Sequence, residues 1–184
     1  MRYSCAKPDC KNIVAQPLTL WWTIMAQTQH PHPEHLSADS TQYQVLNNKS
    51  YDTVEIHVLH IARLFFVSLH RPQSQAWMSA IFTAEHLFGT SQGAMIAARI
   101  LQIVNSVRYV RSAGFNYCDP NCADCARFIT KEEQYLIMAL HILRHGKQSE
   151  ASIQAMLLCQ GGDHAPVIKA LGLLVQSLEI GVSE

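Results

Sequence analysis

The chain has 184 residues and a mass of 20.7 kDa; 48% of its residues are hydrophobic and only 15% are charged. This composition supplies one buried core and excludes a wholly disordered chain. The 14 basic residues balance the 14 acidic ones, so bulk charge gives no reason to expect a nucleic-acid binder. No apolar run is long enough to span a bilayer.

The first 50 residues are predicted to form a largely flexible N-terminal extension. An apolar segment, IVAQPLTLWWTIMA at positions 13–26, precedes a polar stretch that is rich in histidine and proline. Because the composition changes near Met25, three interpretations stay open for this region. They are a true translation start at Met25, a genuine packed segment, and a signal or anchor sequence.

Helical periodicity predicts an all-α fold, a single compact domain of five or six helices over residues 51–184. The first helix begins near Asp52 and ends before Pro72. The second ends at Gly89, and the third runs from Ser91 to about Arg111. Three large aromatic residues of this region are expected in the core: Trp77, Phe82 and Phe88.

The last three helices follow a loop that is rich in cysteine, residues 115–128. Thr130 and Glu133 have the spacing of a capping box, which predicts the start of the fourth helix. Ser149 is expected to cap the fifth helix, and Asp163 to open the last one, which tolerates Pro166 in its first turn. No stretch shows the two-residue alternation of a β-hairpin.

The cysteine loop carries the one strong chemical signal of the sequence. Cys118, Cys122 and Cys125 form a C-x3-C-x2-C motif among residues that favour turns. Thiolates are ligands of zinc and of iron–sulfur clusters, so we predict a metal site, with zinc as the first candidate and an iron–sulfur cluster as the alternative. Free thiols with redox chemistry are a further interpretation.

A closed zinc site needs a fourth ligand. We predict Cys159, on the fifth helix, although a small core residue is an equally good interpretation of that position. His141 and His145 share one face of the fourth helix, immediately after the loop, and are alternatives. Cys10 could serve only if the N-terminal segment is ordered.

The C-x3-C-x2-C spacing resembles the cluster-binding motif of radical S-adenosylmethionine enzymes over these eight residues. That resemblance implies an iron–sulfur cluster with one open iron. Those enzymes place the motif early, after the first strand of a βα barrel. Here it follows three predicted helices, and only about 60 residues come after it, which argues against such a barrel.

The absence of a recognisable catalytic constellation favours a non-catalytic interaction or regulatory module of the cytoplasm, in which the metal stabilises the loop. The alternatives are a redox-responsive regulator and, less favoured, an enzyme that uses an open metal position with Glu132, Glu133 or His141. A protein partner or a homodimer is expected, because the first helix carries more apolar residues than one face needs. Specific DNA binding is not expected, because the fifth helix, EASIQAMLLC, has no lysine or arginine.

Overall fold

The computed structural model describes residues 43–46 and 51–180 of the chain. Within these ranges six α-helices surround one core beside a two-stranded sheet, which confirms the predicted all-α class. The apolar segment at 13–26, Cys10 and the alternative start at Met25 lie outside the described residues. No helix in the described ranges is long and apolar enough to cross a membrane.

The elements follow one another in the order strand, three helices, strand, three helices. In chain order they are β1 (Tyr43–Val45), α1 (Thr53–His70), α2 (Ala76–Phe88), α3 (Thr90–Val110), β2 (Phe128–Thr130), α4 (Lys131–Arg144), α5 (Gln148–Leu158) and α6 (Ala165–Ile180). The cysteine loop connects α3 to β2, between the third and fourth helices as predicted.

Helix α1 occupies the centre of the fold. Every residue from Ile61 to Val67 is buried, and the helix packs against α2, α3 and α4. Its surplus of apolar residues therefore follows from its central position, since neighbouring helices cover most of its circumference. Asp52 caps its first turn by accepting a hydrogen bond from the Glu55 N–H at 2.8 Å.

Most predicted helix ends agree with the structure to within two residues. The Thr130–Glu133 capping box is formed, and Gly89 adopts a φ of 83° between α2 and α3. Helix α2 begins after Gln75 rather than directly after Ser74, because Gln75 takes the left-handed conformation that starts the helix. Such conformations are uncommon outside glycine and are not visible in local propensity.

The two short strands were not predicted. They run antiparallel, with Tyr43 opposite Thr130 and Val45 opposite Phe128. Strands of three residues are too short to show an alternating pattern, so only tertiary pairing reveals them. β1 falls within the region that was expected to be largely flexible.

Helix α2 packs with small residues, and the prediction that Trp77 and Phe82 lie in the core is wrong. Ala76, Ala80 and Ala84 are its buried residues, whereas Trp77 is 47% exposed and Phe82 is 61% exposed. The close approach of α3 explains this reversal. A Cβ built on Gly93 would lie only 2.3 Å from the Cα of Glu85, so the two backbones nearly touch and leave no room for large side chains. Phe88 is half-buried and packs against the core.

Candidate functional site

The first residues of the cysteine loop are anchored to α1 by aromatic stacking. The rings of Phe66 and Phe115 are nearly parallel, with centroids 4.1 Å apart, and Tyr117 stacks on Phe66 at 5.7 Å. Both loop aromatics are buried. The loop therefore leaves α3 and crosses the surface of the central helix before it reaches its cysteines.

A buried ion pair between α1 and α4 lies beneath the loop. Arg63 Nε and Nη2 donate to the two carboxylate oxygens of Glu133 at 2.7 and 2.9 Å. The side chains are 3% and 1% exposed. A two-point contact of this kind fixes the mutual orientation of the guanidinium and the carboxylate.

Each member of this ion pair also binds the backbone of the loop. Arg63 donates to the carbonyl oxygens of Ala126 at 3.0 Å and Phe128 at 2.6 Å. Glu133 accepts the N–H of Cys118 at 3.1 Å. The ion pair thus positions the loop on both sides of its cysteine-containing turn, and its burial is compensated by hydrogen bonds to the polar groups around it.

Cys122 and Cys125 occupy one turn of the loop. The Ala126 N–H donates to the Cys122 carbonyl at 2.8 Å, as in a helical turn, and the Cys125 N–H donates to the Cys122 Sγ at 3.2 Å. In helical geometry, residues three apart have Cα atoms about 5 Å apart. That separation falls in the range that a disulfide requires.

The two thiols of this turn have opposite acid–base properties. The Cys125 thiol donates a hydrogen bond to the Cys122 sulfur, and together with the Cys125 N–H it lowers the pKa of Cys122. Partial burial and the same hydrogen bond raise the pKa of Cys125 to about 11, and the carboxylates of Asp119 and Asp124 act in the same direction. Of the two thiols, that of Cys122 therefore ionises more readily to the thiolate.

Cys118 differs from these two because it is buried. Burial, followed by the nearby Glu133 carboxylate, raises the pKa of its thiol to about 12. Arg63 opposes this effect without reversing it. The charge of Cys125 also raises this pKa, which places the two thiols within electrostatic range of each other.

Asp119 connects the loop to the end of α1. Its carboxylate accepts from Arg71 Nη2 at 2.7 Å and from the Asn121 N–H at 2.9 Å. The Cys122 N–H donates to the Asp119 carbonyl at 3.2 Å, so the same residue also begins the turn of the thiol pair.

Cys159, the predicted fourth ligand, lies at the C-terminal end of α5 and is 2% exposed within the core. Burial raises the pKa of its thiol, with Arg111 and Asp163 as the nearby charges. Arg111 donates to the carbonyl oxygens of Leu158 and Gly114. The charged groups around Cys159 thus come from the end of α3 and from the connection between α5 and α6.

The two histidines of α4 that were predicted as alternative fourth ligands form hydrogen bonds with other groups. His141 Nδ1 lies 3.0 and 3.1 Å from the carboxylate oxygens of Glu55, and His145 Nδ1 donates to the His141 carbonyl at 2.8 Å. His141 follows Glu133 by eight residues, which is about 12 Å along a helix. The acid–base candidate Glu132 accepts from Asn116 at 3.0 Å. These groups are thus engaged in contacts that stabilise the fold.

Across residues 43–46 and 51–180, no three side chains of histidine, cysteine, aspartate or glutamate are grouped so that they could hold a metal ion.

The sequence did not predict the role of Arg63. Its signal was a charged residue inside the apolar run of α1, a pattern that predicts a buried ion pair. Comparison of the chain with known protein families, curated proteins and solved structures finds no match in any of the three.

Proposed function

We propose that the protein is a helical regulatory module whose Cys122–Cys125 pair converts reversibly between a dithiol and a disulfide. The observation that carries the proposal is the turn that brings the two residues together, in which the Cys125 N–H donates to the Cys122 Sγ at 3.2 Å. In this turn the pKa of Cys122 is lowered and that of Cys125 is raised to about 11. An attacking thiol with a lowered pKa and a neighbouring resolving thiol are the two parts that thiol–disulfide exchange requires.

The exchange proceeds in two steps with a disulfide-containing partner. The Cys122 thiolate attacks one sulfur of the partner, a mixed disulfide forms, and the other partner sulfur leaves as a thiolate. The Cys125 thiol then loses its proton and attacks the Cys122 sulfur, which releases the second partner thiolate. The partner disulfide gains two electrons and the chain loses two, so no further reductant is needed.

The scaffold around the pair supports this proposal. The Arg63–Glu133 ion pair and the Asp119 contacts hold the backbone on both sides of the turn. Cys118 and Cys159 are buried and their thiol pKa values are raised, so both should react slowly. In the reducing cytoplasm, the compartment predicted from the sequence, the resting state would be the dithiol.

The test is equilibration of the reduced protein with glutathione disulfide, followed by peptide mapping of the disulfides. We expect an intramolecular Cys122–Cys125 disulfide, with Cys118 and Cys159 reduced. The Cys125→Ser variant should accumulate the mixed disulfide at Cys122, and the Cys122→Ser variant should form neither product. If Cys122 is instead alkylated at neutral pH no faster than Cys118, Cys125 and Cys159, the proposed asymmetry is wrong.

The second candidate is the predicted zinc site, with Cys118, Cys122 and Cys125 as ligands. It is favoured by the electrostatic proximity of Cys118 to Cys125 and by the anchored backbone at Cys118 and Ala126, on either side of the cysteine segment. Zinc would displace the thiol protons and complete its coordination with a fourth donor, for which Cys159 was predicted.

Elemental analysis of protein purified under reducing conditions separates the two candidates. One zinc per chain, lost in Cys118→Ser, would establish the zinc site, and the metal would then protect Cys122 from alkylation. A colourless protein without zinc, with Cys122 reacting fastest, is the result that the dithiol proposal predicts. Iron with inorganic sulfide would establish the cluster alternative and contradict both candidates.

A further inference from the structure

The surface between α1 and α2 combines an apolar ridge with histidines. On α2, Met78, Phe82 and His86 are spaced four residues apart and form one ridge on the side opposite the buried alanines. Met78 is 37% exposed and Phe82 is 61% exposed. These side chains lie outside the core, and the described residues cover the ridge only in part.

Next to this ridge, an open cleft of about 500 Å³ separates α1 from α2. Its lining residues are Ile56, His57, His60, Phe82, Thr83, His86 and Leu87. The walls are mainly apolar, and the cleft opens to solvent between residues 56–60 of α1 and residues 82–87 of α2. This shape suits the side chains that project from one face of a docked helix.

The cleft carries positive or neutral charge, because its lining includes three histidines and no carboxylate. Arg63 lies one turn beyond His60 on α1; burial, followed by the charges of Arg63 and His57, lowers the pKa of His60. Glu55, next to Ile56 in the sequence, is directed away into its contacts with His141 and Arg144. Glu85, next to His86, has its backbone against α3.

We propose that this α1–α2 cleft docks an amphipathic helix of a protein partner that carries a carboxylate among its apolar side chains. The apolar side chains would pack on Phe82 and Met78, and the carboxylate would accept hydrogen bonds from the imidazoles of the cleft. The proposal is independent of the chemistry of the cysteine loop.

The histidines of the cleft favour such a helix over a second copy of this chain. A symmetric dimer through this face would bring the same histidines against one another without a carboxylate to accept from them. A carboxylate-bearing helix satisfies the same groups.

The test uses fluorescence anisotropy with a labelled peptide of about 15 residues that has leucines on one helical face and glutamates beside them. The matched probe is the same peptide with lysine in place of glutamate. We expect the acidic peptide to bind at least tenfold more tightly than the basic one.

Variants of the full chain locate the site. Phe82→Ser should weaken binding of the acidic peptide by about tenfold or more. The control, Tyr109→Ser on α3, changes a side chain that is 92% exposed elsewhere and should bind like the wild type. Both variants should have the melting temperature of the wild type, because the substituted side chains are largely exposed.

Three results would overturn the proposal. They are equal affinity for the acidic and basic peptides, no binding of either peptide, and unchanged binding in Phe82→Ser. Sedimentation provides a further check, since a dimer that dissociates in Phe82→Ser would identify a second copy as the occupant and contradict the acidic partner.

Discussion

Replacing Glu133 by alanine should destabilise the fold more than any substitution at the surface. Glu133 accepts hydrogen bonds from Arg63 at 2.7 and 2.9 Å, from the Thr130 N–H at 2.9 Å and from the Cys118 N–H at 3.1 Å. The substitution leaves the Arg63 guanidinium buried without its counter-ion and two backbone donors without their acceptor. Breaking a buried ion pair from one side costs about 3–5 kcal/mol.

The measurement is urea denaturation followed by far-ultraviolet circular dichroism. A loss of this size should also lower the melting temperature by about 10 °C or more for a domain of this size. Arg63→Met combined with Glu133→Leu should recover only part of the loss. No charge then remains buried, but the Thr130 and Cys118 N–H groups still lack their acceptor. The double-mutant cycle isolates the coupling between the two residues.

The control for this prediction is Glu150→Ala on α5. The Glu150 side chain is 58% exposed, and its contact with Lys147, which is 60% exposed, is longer, at 3.8 Å. We expect this substitution to lower the free energy of unfolding by less than about 1 kcal/mol. Equal destabilisation by Glu150→Ala and Glu133→Ala would refute the reasoning, as would a Glu133→Ala variant that is as stable as the wild type.

Three further predictions concern packing, pH and the core thiol. Gly93→Ala should lower the free energy of unfolding by about 1–3 kcal/mol or more, because the new Cβ meets the α2 backbone at 2.3 Å. The control is Gly172→Ala on α6, where the Cβ has open space; it should be neutral or stabilising in the same melting experiment. The pKa of His60 is lower in the folded protein than in the unfolded chain, so the unfolded chain binds a proton more readily as the pH falls. The free energy of unfolding should therefore keep its full His60 contribution above pH 6.5 and decrease below it. His60→Gln should flatten that part of the pH–stability curve, and an unchanged slope would contradict the assignment. Cys159→Ser should lower the melting temperature without changing metal content if this thiol belongs only to the core; a joint loss of zinc would make it the fourth ligand.

Local patterns were sufficient to predict the helices. The Thr130–Glu133 capping box appears in four consecutive letters and is formed as predicted, because both partners belong to the same turn. Gly89 ends α2 for a similarly local reason, since a φ of 83° suits glycine. The all-α class follows from the sum of such signals.

The side-chain contacts of the site could not be predicted in the same way. Glu133 was recognised as part of a cap, but its partner Arg63 is 70 residues away. His141 was considered as a ligand because it follows the loop in sequence, yet it contacts Glu55 on α1. Sequence spacing reports which residues share a helix face and says nothing about which other helix covers that face.

The sequence by itself therefore indicated five or six helices, their approximate limits and the position of the three cysteines in one loop, because turns, caps and periodicity act over a few residues. Only the tertiary structure decided which face of α2 is buried. Ala76, Ala80 and Ala84 face inward, and α3 approaches the backbone of Ala84 and Glu85 at Gly93, whereas Trp77 and Phe82 are left exposed although their hydrophobicity favours burial. The available space between two helix backbones, which depends on residues distant in sequence, outweighs the hydrophobicity of the individual side chain.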